Sequence, residues 1–592
     1  MGINKDLKKL VQSFFQSNFS LKVDKLEFQS TRKEFKGDIT LVLFPLVQVL
    51  KIPLDDLGVK IGNYLVNFSE YIIEFNLVTG FLNLNISDKY FVQELYRIYE
   101  IKNYGFIEKK VNSPLIIVEF SSPNTNKPLH LGHVRNILLG HSVSNILEAN
   151  GKKVLRTQII NDRGIHICKS MIAWKLFANN GTPKSSGIKG DQFVGKYYVK
   201  YNEVHNQQVK DLMDKGKNKE DAIKSSPIFI SAQELLRLWE SGDKSTYKLW
   251  KKMNEWVYNG FDRTYNNLGV FFDSLYYESD TYLLGKKIIE EGFSKDLFFK
   301  KEDGSIWVDL TKEGLDEKLL LRSDGTSVYI TQDLGTASKR VEDIPELDGM
   351  VYTVGNEQDY HFKVLFLILN KLGYKWSDSL FHLSYGMVDL PDGKMKSREG
   401  NVIDADQLIH EMESTAKKVS ESIGKIEGMI KKEQSSLFKT IGMGALKYHI
   451  LKVDPKKRIL FNPEDSVDFN GNTGPFIQYT YARIKSLLRK FENSNIEIKD
   501  LDNIDYREKS IIKHLLLYPD IINQAGKTYS PALIANYVYD LVKFFNAFYQ
   551  NVSISGTKDS SLKKFRIKLS KKVADVIFSG CLLLGIDVPD NM

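Results

Sequence analysis

Two rhythms of apolar and polar residues run along the 592-residue chain. Near the start Leu7, Leu10, Val11 and Phe14 recur at helical spacing, and Ile39 to Phe44 is a short apolar, strand-like run. Phe81-Leu82-Asn83-Leu84-Asn85 alternates apolar and polar after Gly80, predicting a second strand. A helix predicted over Lys89 to Ile101 leads to the basic, turn-rich stretch Lys109 to Pro114, so residues 1–112 form a small α+β unit. Leu115-Ile116-Ile117-Val118-Glu119-Phe120 then has the apolar, β-branched character of a strand buried on both faces of a parallel sheet. Polar turn residues Ser121 to Asn126 follow, then a helix from about Leu129 to Glu148, a stop at Gly151 and a further strand over Val154 to Ile160. Strand, turn, helix and strand make a βαβ unit, the opening of a doubly wound nucleotide-binding sheet. The α/β pattern returns at Val328 to Ile330, Gly349 to Val354 and Phe381 to Val388, which predicts one domain over 113–404. Residues of about 165–290, helical, aromatic and rich in lysine, form an insertion in it. From about Asp404 onward the periodicity is helical, as in Pro475 to Phe491 and Ser530 to Phe548, predicting an α-helical bundle over 405–592. There is no internal repeat and no low-complexity tract.

Composition adds limits rather than an answer. With 42% hydrophobic and 26% charged residues the chain can build large cores. The net charge of +8 suits a polyanionic partner but does not by itself select nucleic acid. The two cysteines, Cys168 and Cys581, lie far apart and without metal spacing. They argue against a disulfide framework or zinc site and for a reducing, cytoplasmic compartment. The first residues, MGINKDLKKL, lack the apolar core of a secretory signal, and Asp6 stands where a myristoylation motif has Ser or Thr. The apolar run Leu41 to Leu50, broken by Pro45 and Gln48, is too short to span a bilayer, so no membrane role is expected.

Candidate chemistry begins where the first strand of the nucleotide sheet hands over to its helix. Helix N-termini attract anions because their first amide hydrogens lack intrahelical partners and the helix dipole adds positive potential. His130 and His133, three residues apart, can both address one phosphate from the first turn. Gly132 between them leaves room for a flat adenine ring, and Lys127 adds a mobile positive charge. The histidines could instead ligate a metal, but no nearby Cys, Asp or Glu clearly completes a site, so none is expected. No G-x-x-x-x-G-K-[ST] loop occurs, and Gly442-Met443-Gly444 lacks the third glycine and the preceding strand of a dinucleotide fingerprint. A second basic element, Lys394-Met395-Lys396-Ser397-Arg398 between Gly393 and Gly400, follows the sheet's last strand. A loop of this kind can close over a triphosphate and stabilise the leaving pyrophosphate.

In this order, the segments Lys127-Pro128-Leu129-His130-Leu131-Gly132-His133 and Lys394-Met395-Lys396-Ser397 resemble the HIGH and KMSKS signatures of class I aminoacyl-tRNA synthetases. Three further segments resemble the arginyl-tRNA synthetase family: Val118 to Asn124, Ser323 to Asp333 and Val354 to Phe362. So do Gly474 to Ile484, similar to its anticodon-binding helix, and Gly80-Phe81-Leu82-Asn83 in an N-terminal domain. The resemblance covers essentially the whole chain. It implies an α/β multidomain fold with a class I Rossmann-like catalytic domain, an N-terminal domain that reads the tRNA elbow and a C-terminal helical anticodon-binding bundle.

The resemblance also implies roles. Arginine would be activated with ATP, accompanied by Mg2+, and passed to the terminal adenosine of its tRNA, on the 2′-hydroxyl in this class. The activation step would itself need tRNA. Lys127, His130, His133 and Lys394 would be catalytic, and together with Gly132 and Lys396 would bind ATP. The second lysine of KMSKS falls at Ser397, a loss many arginyl enzymes offset with a lysine before the HIGH motif, which is Lys127 here. Glu119, Asn124, Tyr329, Asp333 and Gln358 would bind arginine, the acids by paired, charge-assisted hydrogen bonds to its guanidinium. Phe81, Asn83, Gln478, Tyr479, Tyr481 and Arg483 are the candidates for tRNA contacts. The expected protein is a monomer. The rival readings are another class I synthetase and a non-catalytic tRNA-binding paralogue.

Overall fold

The computed structural model describes residues 2–32, 34–50, 52–389, 403–423, 428–491 and 501–592. Its first unit is a four-stranded antiparallel sheet of β1 (Phe28–Ser30), β2 (Ile39–Val42), β3 (Ile72–Val78) and β4 (Phe81–Ile86), in the order β1-β2-β4-β3. The helices Gly2–Phe19, Leu54–Phe68 and Asp88–Tyr99 accompany it. The apolar run beginning at Ile39 leaves the strand conformation at Leu43, and Phe44–Leu50 is helical.

The second unit is built on a five-stranded parallel sheet of β5 (Leu115–Glu119), β6 (Lys153–Ile160), β7 (Ser274–Tyr277), β11 (Leu347–Gly355) and β12 (Leu380–Tyr385). The order β12-β11-β5-β6-β7 places β5 at the centre, with the reversal of winding between β5 and β11. Alternate residues of β5 feed two cores. Ile116 and Val118 pack with Leu138 and Val143 of the helix Leu131–Ala149, whereas Ile117 joins Met350, Leu334 and Leu365. Burial on both faces is why this strand reads as one continuous apolar run.

Three sequence expectations change here. Val328–Ile330 is not a strand: Val328 caps the helix Tyr329–Asp343. The segment 165–290 is largely helical, but β7 within it pairs with β6 and closes one edge of the main sheet. A three-stranded antiparallel sheet of β8 (Phe298–Lys300), β9 (Ile306–Val308) and β10 (Lys318–Leu321) also intervenes before β11.

The third unit comprises long helices, among them Lys431–Leu451, Gly474–Arg489, Tyr506–Thr528, Pro531–Asn551 and Ser560–Leu583. Gly442 and Gly444 sit inside the first of these. A Cβ on Gly444 would lie 2.3 Å from the Gln478 amide, and one on Gly474 would lie 2.3 Å from the Gly444 carbonyl oxygen. This glycine pair therefore serves a close helix crossing rather than a nucleotide. Two short strands, β13 (Val388–Asp389) and β14 (Ile459–Leu460), pair in parallel and link the sheet to the bundle.

The N-terminal unit docks on the bundle through Asp38, which accepts from Lys509 at 3.0 Å and pairs with Lys513. Lys572 also donates to the Ile101 carbonyl at 3.0 Å. Among the described residues no helix is long and apolar enough to cross a membrane.

Candidate active site

In an open α/β sheet the ligand crevice lies beyond the carboxyl ends of the strands, at the point where the winding reverses. Here that point lies between β5 and β11, and Glu119 and Gly355 mark its edges. The chain leaves β5 through Ser121 and Ser122, both at positive φ, a conformation that costs L-residues energy and persists only where surroundings enforce it. The enforcement is visible: Ser121 N donates to Asn136 Oδ1 at 2.5 Å, and its hydroxyl meets the Tyr265 hydroxyl at 2.7 Å.

The helix then starts at Leu131 with His130 as its N-cap, one residue outside the first turn. Gly132 N donates to His130 Nδ1 at 3.2 Å, and His130 N donates to His133 Nδ1 at 3.2 Å. Each histidine thus uses Nδ1 as an acceptor for a backbone amide. In a neutral imidazole the other nitrogen then carries the hydrogen, so both rings present Nε2–H as donors. Neutrality is enforced as well. Burial, helped by the Lys127 charge, pushes the His130 pKa down to about 4. The same burial, with His130 and Lys127 beside it, holds His133 well below the usual histidine range. The rings lie 3.9 Å apart between centroids. Gly132 has a local reason to be glycine, since a Cβ there would come within 3.1 Å of the His130 ring.

Lys394 and Lys396, with Ser397, lie outside the described residues. The segments flanking them are both fastened to the histidine helix. Before them, the buried Arg135 donates to the carbonyls of Gly386 at 2.6 Å and Met387 at 3.0 Å, and to those of Pro455 at 2.9 Å and Lys457 at 2.7 Å. After them, Leu131 N donates to Ile403 O and Ala405 N to Leu129 O, bracketing a bridge between His130 and Asp404. One helix therefore fastens Gly386 and Met387 on one side and Ile403 and Ala405 on the other.

The expected arginine-binding residues come from the helix Tyr329–Asp343 and from the ends of β5 and β11. Tyr329 opens the helix Tyr329–Asp343 and Asp333 follows one turn later on the same face, with Tyr329 76% exposed. Asp333 Oδ2 is held by His361 Nε2 at 2.6 Å. Gln358 is exposed just beyond β11, and Asn124, also exposed, pairs with Asn161 just beyond β5. Glu119 is buried, and its Oε2 is already paired with an internal guanidinium, that of Arg340. Its second oxygen, Oε1, accepts from the Ser122 hydroxyl at 3.3 Å.

The sequence reasoning missed Glu278, directly after β7. Burial, with the nearby Asp162 and Asp333 charges and against the opposing Arg163, pushes its pKa up to about 7. Its signal was available: Leu275-Tyr276-Tyr277 before Glu278 is an apolar run ended by an acid, as β5 is ended by Glu119.

The expected tRNA-contact residues divide. Phe81 and Asn83 line a cavity of about 150 Å3 with Gln29, Arg32, Phe35 and Thr40. Asn83 Oδ1 accepts from Thr40 at 2.6 Å, while its Nδ2 is buried without a hydrogen-bond partner. Arg483 is half-buried, stacked 4.6 Å from the Tyr479 ring and bonded to Asn546 at 2.9 Å. Gln478 is a correction: it is fully buried and donates to the carbonyls of Thr440 and Asp587, so it braces the bundle. Tyr481 is mostly buried, its ring 6.3 Å from that of Phe578, and lines a surface cavity with Lys571 and Lys572.

Comparison with known proteins agrees with this arrangement. The family model "tRNA synthetases class I (R), catalytic domain" matches residues 100–462, and "DALR anticodon binding domain" matches 477–592. The arginine–tRNA ligase of Flavobacterium psychrophilum is 56% identical over 100% of both chains, and that of Bacteroides fragilis 52% over 96% of both. The Thermus thermophilus arginyl-tRNA synthetase structure superposes with a TM-score of 0.79 at 22% identity, covering 99% of this chain and 100% of that one. The Plasmodium falciparum enzyme gives 0.74 at 20%, covering 100% and 99% respectively. With full-length similarity of this degree, on a parallel sheet whose central strand leads into a histidine-capped helix, the chain belongs to the arginyl-tRNA synthetases, the class I aminoacyl-tRNA synthetases that charge tRNA with arginine.

Proposed function

We propose the following division of labour within this family's reaction. Asp333 and Glu278 take the substrate guanidinium, with the Tyr329 phenol completing the pocket. Glu119, paired through Oε2 with Arg340, adds its other carboxylate oxygen to that pocket, and Asn124 and Gln358 hold the amino end. The observation that carries this reading is the contact between the short helix Glu278–Thr281, directly after β7, and the helix Tyr329–Asp343 that bears Asp333.

ATP would lie with its phosphates at the start of the helix Leu131–Ala149, receiving Nε2–H donors from His130 and His133 and positive charge from Lys127, Lys394 and Lys396. The substrate carboxylate attacks the α-phosphorus. A P–O bond to arginine forms as the bond to pyrophosphate breaks, and the departing charge falls to these donors. Both histidine Nδ1 atoms are engaged by backbone amides, which fits phosphate donation rather than metal ligation, so Mg2+ would arrive on the triphosphate. It would there neutralise phosphate charge. The terminal 2′-hydroxyl of tRNA then accepts the arginyl group. The Phe81–Asn83 cavity would take a base of the tRNA elbow, with Tyr479 and Arg483 at the anticodon end. Residues 1–112, 113–404 and 405–592 act as elbow-reading, catalytic and anticodon-binding units of a cytoplasmic monomer.

The test is ATP–pyrophosphate exchange driven by arginine. The expected result is exchange with arginine and its tRNA together and little without tRNA; no exchange with both present would sink the reading. A second prediction follows from Glu278. Its pKa of about 7 lies above the ordinary 4.5, so the free site is partly protonated at neutral pH. A substrate cation favours the ionised form, and binding must therefore release a proton. The KM for arginine should fall as pH rises from about 6 to 8 and then level off. Glu278→Gln should flatten that slope while raising KM throughout; an unchanged slope would remove Glu278 from the pocket.

A further inference from the structure

In the site proposed above, arginine and ATP are held by different elements, and one buried side chain joins those elements. Asn136 lies one turn after His133 on the helix Leu131–Ala149 and is buried. Its Oδ1 accepts from Ser121 N at 2.5 Å, and its Nδ2 donates to the Thr353 carbonyl at 2.7 Å and to the Tyr385 hydroxyl at 3.0 Å. The amide can stand only this way round, because Ser121 N only donates and the Thr353 carbonyl only accepts. Ser121 belongs to the turn between Glu119 and Asn124, Thr353 to β11 shortly before Gln358, and Tyr385 ends β12. A single side chain on the histidine helix therefore reaches the chain leaving β5, the last residues of β11 and the end of β12.

The turn needs such a hold. Ser121 and Ser122 have φ of 79° and 29°, where an L side chain crowds its own backbone, and a free chain would relax to negative φ and carry Asn124 with it. Ser121 is clasped from two sides, its main-chain amide by Asn136 and its hydroxyl by that of Tyr265 at 2.7 Å. The Tyr265 hydroxyl is itself held by the buried Gln158 of β6. We propose that Asn136 is a positioning residue for amino-acid binding: from the phosphate-binding helix it holds the strained Ser121–Ser122 turn in the form that presents Asn124 to the amino end of arginine. It acts through the turn rather than by contact with substrate, and it fixes the arginine pocket relative to the ATP site. Without the clamp only a fraction of molecules would carry the competent turn. The apparent affinity for arginine falls by that fraction, while saturating arginine draws the turn back into place. This inference rests on the assignment of Asn124 to the arginine pocket.

The test is ATP–pyrophosphate exchange by the full-length enzyme with tRNA present, at varied arginine and varied ATP. Asn136→Ala should raise the KM for arginine about tenfold, with the KM for ATP within about twofold and kcat at saturating arginine within about threefold of wild type. An asparagine that only supported the fold would instead lower kcat through a smaller active fraction and leave both KM values in place, a result that would overturn the proposal. Tyr265→Phe releases Ser121 from its other side without touching Asn136, and should raise the arginine KM in the same selective way. It decides alone should Asn136→Ala fail to fold. Ser121→Gly added to Asn136→Ala should recover most of the lost affinity, because glycine adopts positive φ without strain. No recovery there, or no selective rise in either single variant, would also overturn the proposal. Asn124→Ala tests the pocket assignment separately. An unchanged arginine KM in that variant would remove Asn124 from the pocket, while a selective rise in Asn136→Ala would still show that the clamped turn carries the arginine site.

Discussion

Asp333→Asn is expected to raise the KM for arginine by about two to three orders of magnitude while the KM for ATP moves by no more than about threefold. A guanidinium taken out of water needs a charged, planar partner, and losing one partner of such a buried, hydrogen-bonded pair costs about 2–5 kcal/mol. At about 1.4 kcal/mol per factor of ten, that range spans the predicted change. The substitution is close to isosteric, so an amide oxygen can still meet His361 Nε2, which now lies 2.6 Å from Oδ2. The helix Tyr329–Asp343 therefore keeps its seat, and the effect reports charge rather than collapse. Initial-rate exchange at varied arginine and varied ATP separates the two KM values. Equal losses toward both substrates would mean that Asp333 supports the fold of the crevice and does not bind arginine.

How far the chain could be read depends on which contacts are local. The strand β5 and its following helix were legible because Ile116, Ile117 and Val118 are buried on both faces and the flanking turn is polar. The strand β7 was absorbed into a helical insertion. It is four residues long, and only its pairing with β6 makes it part of the sheet. Val328–Ile330 was read as strand because three apolar or aromatic residues at a helix start carry no period long enough to distinguish the two. The candidate phosphate-binding residues Lys127, His130 and His133 were legible from a short contiguous segment. Arg340 and Glu278 were not, because their roles arise from partners distant in sequence, Glu119 on another strand and Asp333 on another helix. Gln478 was misjudged for the opposite reason: helical spacing shows which residues share a face, but not that its side chain turns inward.

The histidine pair gives the other large effect. His133→Asn is expected to lower kcat for arginine activation by about 10²–10³-fold, the usual loss when one preorganised donor to transition-state charge is removed. Asparagine suits this test because its side-chain oxygen can still accept from His130 N, keeping the helix start capped. What it lacks is the reach of Nε2–H to a phosphate. His130→Asn should behave alike, since asparagine is itself a favoured N-cap and can accept from Gly132 N. Thermal melting within a few degrees of wild type would confirm that the cap survives. The pH dependence adds a second reading of the same chemistry. With its pKa near 4, His130 is neutral throughout pH 6–8, and His133, held well below the usual histidine range by burial, is neutral as well. The ratio of wild-type to variant kcat should therefore stay flat across that range. A ratio that fell tenfold as pH rose from 6 to 7 would show that the rings act as imidazolium cations, contradicting the tautomers set by the capping bonds. A near-normal kcat in both asparagine variants would instead leave phosphate stabilisation to Lys127 and the helix amides.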